Sequence, residues 1–191
     1  MPGQTMHTTS SPLERTHALT RTAMFSALLA VGAYIVIPMG PTHFTMQSMM
    51  VMLTGFCLGP RRAFYALVLY LAAGCIGLPV FGRGRAGPAT LIAPTAGYFF
   101  GFAASAVICG LAARVGGGRR RRVLAMIVAG LVGSCVTLAI GAVWLHMLVI
   151  DSWRSAFLIG AIPFVPIEIL KLGLATCIKE AFFPPMGEEN A

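Results

Sequence analysis

Glu168 and Lys171 stand three residues apart in IPFVPIEILKLGLA (residues 162–175), a stretch otherwise built from apolar side chains and two prolines. On a helix that spacing turns an acid and a base toward nearly the same face. In water the pair would be a surface ion pair worth about 0–1 kcal/mol. At the middle of a bilayer each charge costs about 2.5–3.5 kcal/mol, so the couple needs a reason to be there. One reading is a self-neutralising staple that braces the last span against a neighbour. The other is a polar grip on a solute, in which Lys171 holds a carboxylate and Glu168 accepts hydrogen bonds from N–H groups. Pro163 and Pro166 disturb the start of this helix and can free carbonyls to line a pocket. The expectation is therefore a site for a small acid carrying amide-like N–H groups.

Few other residues offer chemistry at comparable depth. Gln47 lies in a short apolar segment, where it serves either an interhelical hydrogen bond or a ligand. The stretch GLPVFGRGRAGPATLIAPTAGY (residues 77–98) contains G-x-G-x-x-G at Gly82, Gly84 and Gly87. A dinucleotide fingerprint needs a strand running into a helix and an acid about 20 residues on. Here Pro88 follows at once and no acid appears before Asp151. The reading preferred is a glycine-rich lid over a site, with Gly87 allowing close backbone approach. Phe81 would supply an apolar wall, and Thr95 and Tyr98 stand where the next span begins. The five cysteines are isolated in apolar runs and the four histidines are scattered, so no zinc or redox pattern arises. The run MQSMMVML (residues 46–53) reads as adaptable packing.

Composition names the medium that must surround these residues. Of 191 residues 57% are hydrophobic and 10% charged, and the mean hydropathy is +0.82. Soluble domains carry about a quarter charged residues, so this chain lacks the polar surface to cover a core in water. Its net charge of +8 sits in short arginine clusters without the basic stripe of a nucleic-acid binder. Six apolar segments follow, at 19–39, 45–58, 63–78, 94–115, 123–150 and 153–183. Crossing the hydrocarbon takes about 20 helical residues, so the second and third are short and suggest irregular backbone around a cavity.

Placing the N-terminus in the cytoplasm puts ten cations there: Arg15, Arg21, Arg61, Arg62, Arg114, Arg119, Arg120, Arg121, Arg122 and Lys179. The outer side then receives Arg83, Arg85 and Arg154. That bias sets both ends in the cytoplasm. Residues 1–18 are expected to be a polar, poorly ordered N-terminus and 184–191 a cytoplasmic tail. Ala23, Ala27 and Ala30 recur at helical spacing in the first span, giving a smooth face either for packing within the bundle or for docking another membrane subunit.

Taken in order, IPMGPTHFTMQSMMVMLTGFCLGPRRA, then GLPVF with its glycine-rich loop and PTAGY, then IPFVPIEILKLGLA resemble the BioY family, the biotin-binding S components of energy-coupling-factor (ECF) transporters. The resemblance covers nearly all the chain from Arg21 onward. It implies six transmembrane helices in the ECF S-component fold, a biotin site open to the outside, and multi-pass placement in the bacterial cell membrane. It also implies a transmembrane T component and ATPase subunits as partners, with ATP consumed there and not in this chain. No enzyme activity, cofactor or metal is expected. The family's Gly-Asp-x-x-Lys pattern falls on Ile167, Glu168 and Lys171, with Glu in place of Asp and Ile in place of Gly. Where the family's loop presents Asn, this chain has Arg85, which cannot accept a hydrogen bond and is expected to pair with Glu168 or with the ligand carboxylate. Ala93 and Ala96 replace glycines of the PTAGY region, and the alanines of the first span match the face that meets the T component. Which end of biotin meets Lys171 stays open. The other readings are an S component for a different vitamin or a biotin precursor, and a membrane scaffold without transport.

Overall fold

The computed structural model describes residues 12–39 and 42–183. It is helical apart from one hairpin. The order is α1 (Pro12–Tyr34), β1 (Val36–Met39), β2 (Thr42–Thr45), α2 (Gln47–Cys75), α3 (Ala96–Ala112), α4 (Arg119–Leu148), α5 (Trp153–Gly160) and α6 (Val165–Phe182). Short 3-10 turns at Gly82–Gly84 and Pro88–Leu91 shape the long α2–α3 connection, and one at Ile162–Phe164 joins α5 to α6.

Local sequence explains the breaks. Within α2, Gly59 adopts φ 73° and ψ 172°, a combination open essentially to glycine alone. Pro60 then opens a new helical run, where its missing N–H costs nothing. Residues 47–58 and 60–75 are thus two helical halves, and they coincide with the short second and third apolar segments. At the break α3 comes so close that a Cβ on Gly110 would lie 2.4 Å from the Pro60 nitrogen. The last segment is also divided: the turn around Pro163 separates α5 from α6, and Pro166 sits in the first turn of α6.

α3 runs through the middle, packing on both α2 and α4, while α1 covers α2 and α6 leans on α2 and α4. One apolar cluster, with Phe25, Met52, Phe56, Met126 and Leu172, lies toward the arginine-rich end. A second, with Leu29, Leu67, Tyr70, Phe81 and Phe99, lies beneath the glycine-rich loop. Met49 and Met52 are both buried, as adaptable packing requires. The outward side is equally apolar: α4 exposes Leu124, Val128, Leu131 and Val132, and α6 exposes Ile169, Leu170 and Leu174. Surfaces of that kind call for an apolar surrounding. Arg119–Leu148 and Trp153–Phe182 are each long and apolar enough to cross a bilayer.

Three details differ from the sequence expectation. α1 begins at Pro12, so residues 12–18, expected to be poorly ordered, are helical. The hairpin was not foreseen; it pairs Val36 with Thr45 and Ile37 with Phe44. The sixth segment is two helices, not one. The expectations for residues 1–11 and 184–191 lie outside the described residues.

Candidate functional site

Glu168 and Lys171 project from the first turns of α6 into the interior, with relative exposures of 8% and 2%. Lys171 Nζ donates to Glu168 Oε1 at 3.0 Å, to Ser48 Oγ at 2.9 Å and to the Thr45 carbonyl at 2.7 Å. Those three bonds use all three ammonium protons. Ser48 Oγ donates in turn to Glu168 Oε1 at 2.6 Å, and Ser134 Oγ reaches Glu168 Oε2 at 3.3 Å. One couple therefore ties α6 to the start of α2, to α4 and to the end of β2. Oε2 carries only the long serine bond and keeps acceptor capacity.

An aromatic layer flanks this network. Phe44 of β2 packs on Phe164 with ring centroids 4.6 Å apart, and Phe164 lies 6.0 Å from Tyr98. The Tyr98 hydroxyl donates to the Gly160 carbonyl at 2.6 Å, which holds the start of α3 against the end of α5. The hairpin, the N-terminal end of α3 and the α5–α6 joint thus meet beside the charged pair. Gln47, next in the chain to Ser48, is buried to 4% exposure, and its amide nitrogen has no hydrogen-bond partner. Its side chain faces the Tyr70 hydroxyl without the geometry of a full hydrogen bond.

The glycine-rich loop is pinned at its base. Phe81 is fully buried between Tyr70, edge-on at 5.6 Å, and Phe99 at 5.2 Å. It anchors the loop and presents no surface to a guest in this conformation. Gly87, at φ 88°, donates its N–H to the Gly74 carbonyl at 2.8 Å. The hydroxyls of Tyr34 and Tyr70 hold the carbonyls of Pro79 and Val80. Thr95 is exposed at the entry to α3.

Of the two partners expected for Arg85, Glu168 is not one in this structure. Its side chain is exposed and its Nε donates to the Gly82 carbonyl at 3.3 Å within the same loop. The cation beside Glu168 is Lys171. The reason is local: the Phe81 N–H bonds to the Arg85 carbonyl at 3.1 Å, closing the loop so that the guanidinium stays on its outer side. Of the foreseen residues, the structure joins Glu168 and Lys171 directly and places Tyr98 and Gln47 on the elements around them. Arg85, Gly87 and Thr95 stand on the loop and its edge. In α1, Ala23 and Ala27 are exposed, while Ala30 is half-buried and packs against the cluster that holds Leu29 and Leu67.

Sequence reasoning missed Ser48, Ser134, Phe44, Phe164 and the Thr45 carbonyl. An isolated serine in an apolar span is the available signal, because it must find an acceptor inside the protein.

Known proteins add a consistent comparison. The BioY family model matches residues 5–187. The chain is 36% identical over 160 residues to the biotin transporter BioY of Thermotoga maritima, covering 84% of this chain and 92% of that one. It is 33% identical over 174 residues to the biotin transporter BioY of Rhizobium etli, covering 87% and 92%. A crystal structure of the S component for biotin from an ECF-type ABC transporter shares the fold, with a TM-score of 0.76 at 23% identity over 88% of this chain and 91% of that one. The resemblance carried by the three motifs is thereby borne out: the chain belongs to the BioY family.

Proposed function

We infer that this chain is the biotin-capturing S component of an ECF-type vitamin uptake system. In this reading it is not an enzyme: ATP is hydrolysed by partner subunits and the chain supplies binding and docking. The observation that carries the assignment to a site is the buried Glu168–Lys171 couple, which gathers Ser48, Ser134 and the Thr45 carbonyl beside an aromatic layer. Biotin presents a carboxylate, a ureido group with N–H donors and an apolar ring. Glu168 Oε2 would serve one polar end and Lys171, on exchanging one of its internal bonds for the ligand, the other; Gln47 would offer its amide, and Tyr98 with Thr95 would border the ring. Opening the glycine-rich loop at Gly87 would admit the ligand from outside, with Phe81 as its anchor and Arg85 at its exposed rim.

The same reading sets six membrane passes, counting the two halves of α2 separately and α5 with α6 as one, with both termini in the cytoplasm and the protein in the cell membrane. The alanine face of α1, through Ala23, Ala27 and Ala30, would meet the transmembrane T component. Binding of labelled biotin to the purified protein, challenged with an excess of unlabelled biotin, biotin precursors or other vitamins, tests the substrate. Displacement by biotin alone supports the reading. Displacement by another vitamin at lower concentration overturns it.

One observation favours a second reading. Every proton of Lys171 is already used inside the protein, as a bracing role requires. Bracing alone predicts that Glu168→Leu with Lys171→Leu leaves uptake intact and alters only stability.

A further inference from the structure

The break in α2 opens a cleft of about 380 Å³ at the arginine-rich end of the bundle, with Arg61 and Arg62 on one wall and Arg114, at the end of α3, on the other. All three arginines are exposed, and among the described residues no carboxylate pairs with them. Glu180 is taken by Arg119 and Lys179, and Glu168 by Lys171. Three guanidinium groups with no acidic partner among the described residues thus border one hollow, and a bound anion would balance their charge. Arginine's planar fork suits a phosphate in particular.

A second hollow of about 240 Å³ shares Pro60 and Arg61 with the first and adds Phe64, Tyr65 and Val107. Phe64 and Tyr65 are exposed and lie about one turn further along the helix. The two hollows thus place a cationic cup directly before an apolar groove on a surface made for lipid. Neither touches the Glu168–Lys171 network.

We propose that this paired cleft seats one anionic phospholipid, with its phosphate among Arg61, Arg62 and Arg114 and an acyl chain along Phe64, Tyr65 and Val107. The close approach of α3 to Pro60 at Gly110 brings the end of α3, which carries Arg114, beside the α2 break, so the site depends on that break. A seated lipid would hold that break in one geometry.

The test is native mass spectrometry of the full chain in a neutral detergent, titrated separately with phosphatidylglycerol, phosphatidylcholine and inorganic phosphate. One phosphatidylglycerol should be retained per chain, at least tenfold more tightly than phosphatidylcholine. Arg61→Gln, Arg62→Gln and Arg114→Gln combined should weaken retention about a hundredfold, since a surface cation is worth roughly a factor of five toward anionic lipid. Arg21→Gln, Arg120→Gln and Arg121→Gln combined remove the same charge elsewhere and should change retention less than threefold. Phe64→Ser with Tyr65→Ser should weaken the lipid as well. Equal losses in the two arginine variants, equal retention of both lipids, or displacement by inorganic phosphate at the lipid's own concentration would each overturn the proposal. Circular dichroism of every variant confirms folding. Biotin is absent throughout, so the outcome is independent of the substrate assignment.

Discussion

Replacing Lys171 by methionine keeps the volume of the side chain and removes its charge. Glu168 then stays buried with only Ser48 at 2.6 Å and Ser134 at 3.3 Å as partners, and the Thr45 carbonyl loses its donor. Removing one member of a buried ion pair costs about 3–5 kcal/mol. Glu168→Leu leaves the buried ammonium with Thr45 and Ser48 alone, and a similar cost follows. The double variant carries no buried charge. Its main defect is the orphaned Thr45 carbonyl, worth about 1–3 kcal/mol. The singles should therefore sum to about 6–10 kcal/mol, and the double should lose about 1–3 kcal/mol. The difference is a coupling of at least about 3 kcal/mol. Reversible unfolding in mixed detergent micelles reads all four corners of the cycle. If the double variant loses as much as the two singles together, within about 0.5 kcal/mol, the two charges are not coupled and the buried network has been misread.

Further outcomes follow from single contacts. Gly59→Ala meets no neighbouring atom within 4 Å but must hold φ 73°, so it should lose about 1–3 kcal/mol of stability through backbone strain alone, as read by denaturant unfolding. Tyr98→Phe removes the 2.6 Å bond to Gly160 and should cost about 0.5–1.5 kcal/mol in the same assay. Ala27→Leu adds bulk on the exposed face of α1. It should leave biotin binding by the isolated chain unchanged and reduce ATP-driven uptake in cells; a loss of binding instead would place Ala27 in the fold and not at a docking face.

Much of the architecture was legible because lipid-embedded segments announce themselves by hydropathy, and Gly59–Pro60 is a plain break in an apolar run. The charged pair was legible for the same reason: nothing else in residues 162–175 is ionisable. The hairpin was less so. Its β-branched Val36, Ile37, Thr42 and Thr45 flank the tripeptide Met-Gly-Pro, a signal overridden by reading that stretch as the stop of the first span. An isolated serine in an apolar run signals a need for an acceptor, but which acceptor was not legible. Ser48 lies 120 residues from Glu168 and Ser134 lies 34 residues away, and no local pattern reports which helix faces which. That Arg85 does not pair with Glu168 was not legible for a related reason: the loop closes through the bridge from Phe81 to Arg85, with Phe81 held between Tyr70 and Phe99.

Calorimetric titration of the detergent-solubilised protein with biotin, wild type against Lys171→Ala, addresses the solute-binding claim most directly. Saturable one-to-one binding by the wild type, weakened at least a hundredfold in a variant that remains folded, is the predicted result. Equal affinity in the two proteins, or no uptake of biotin by the wild type, would contradict it.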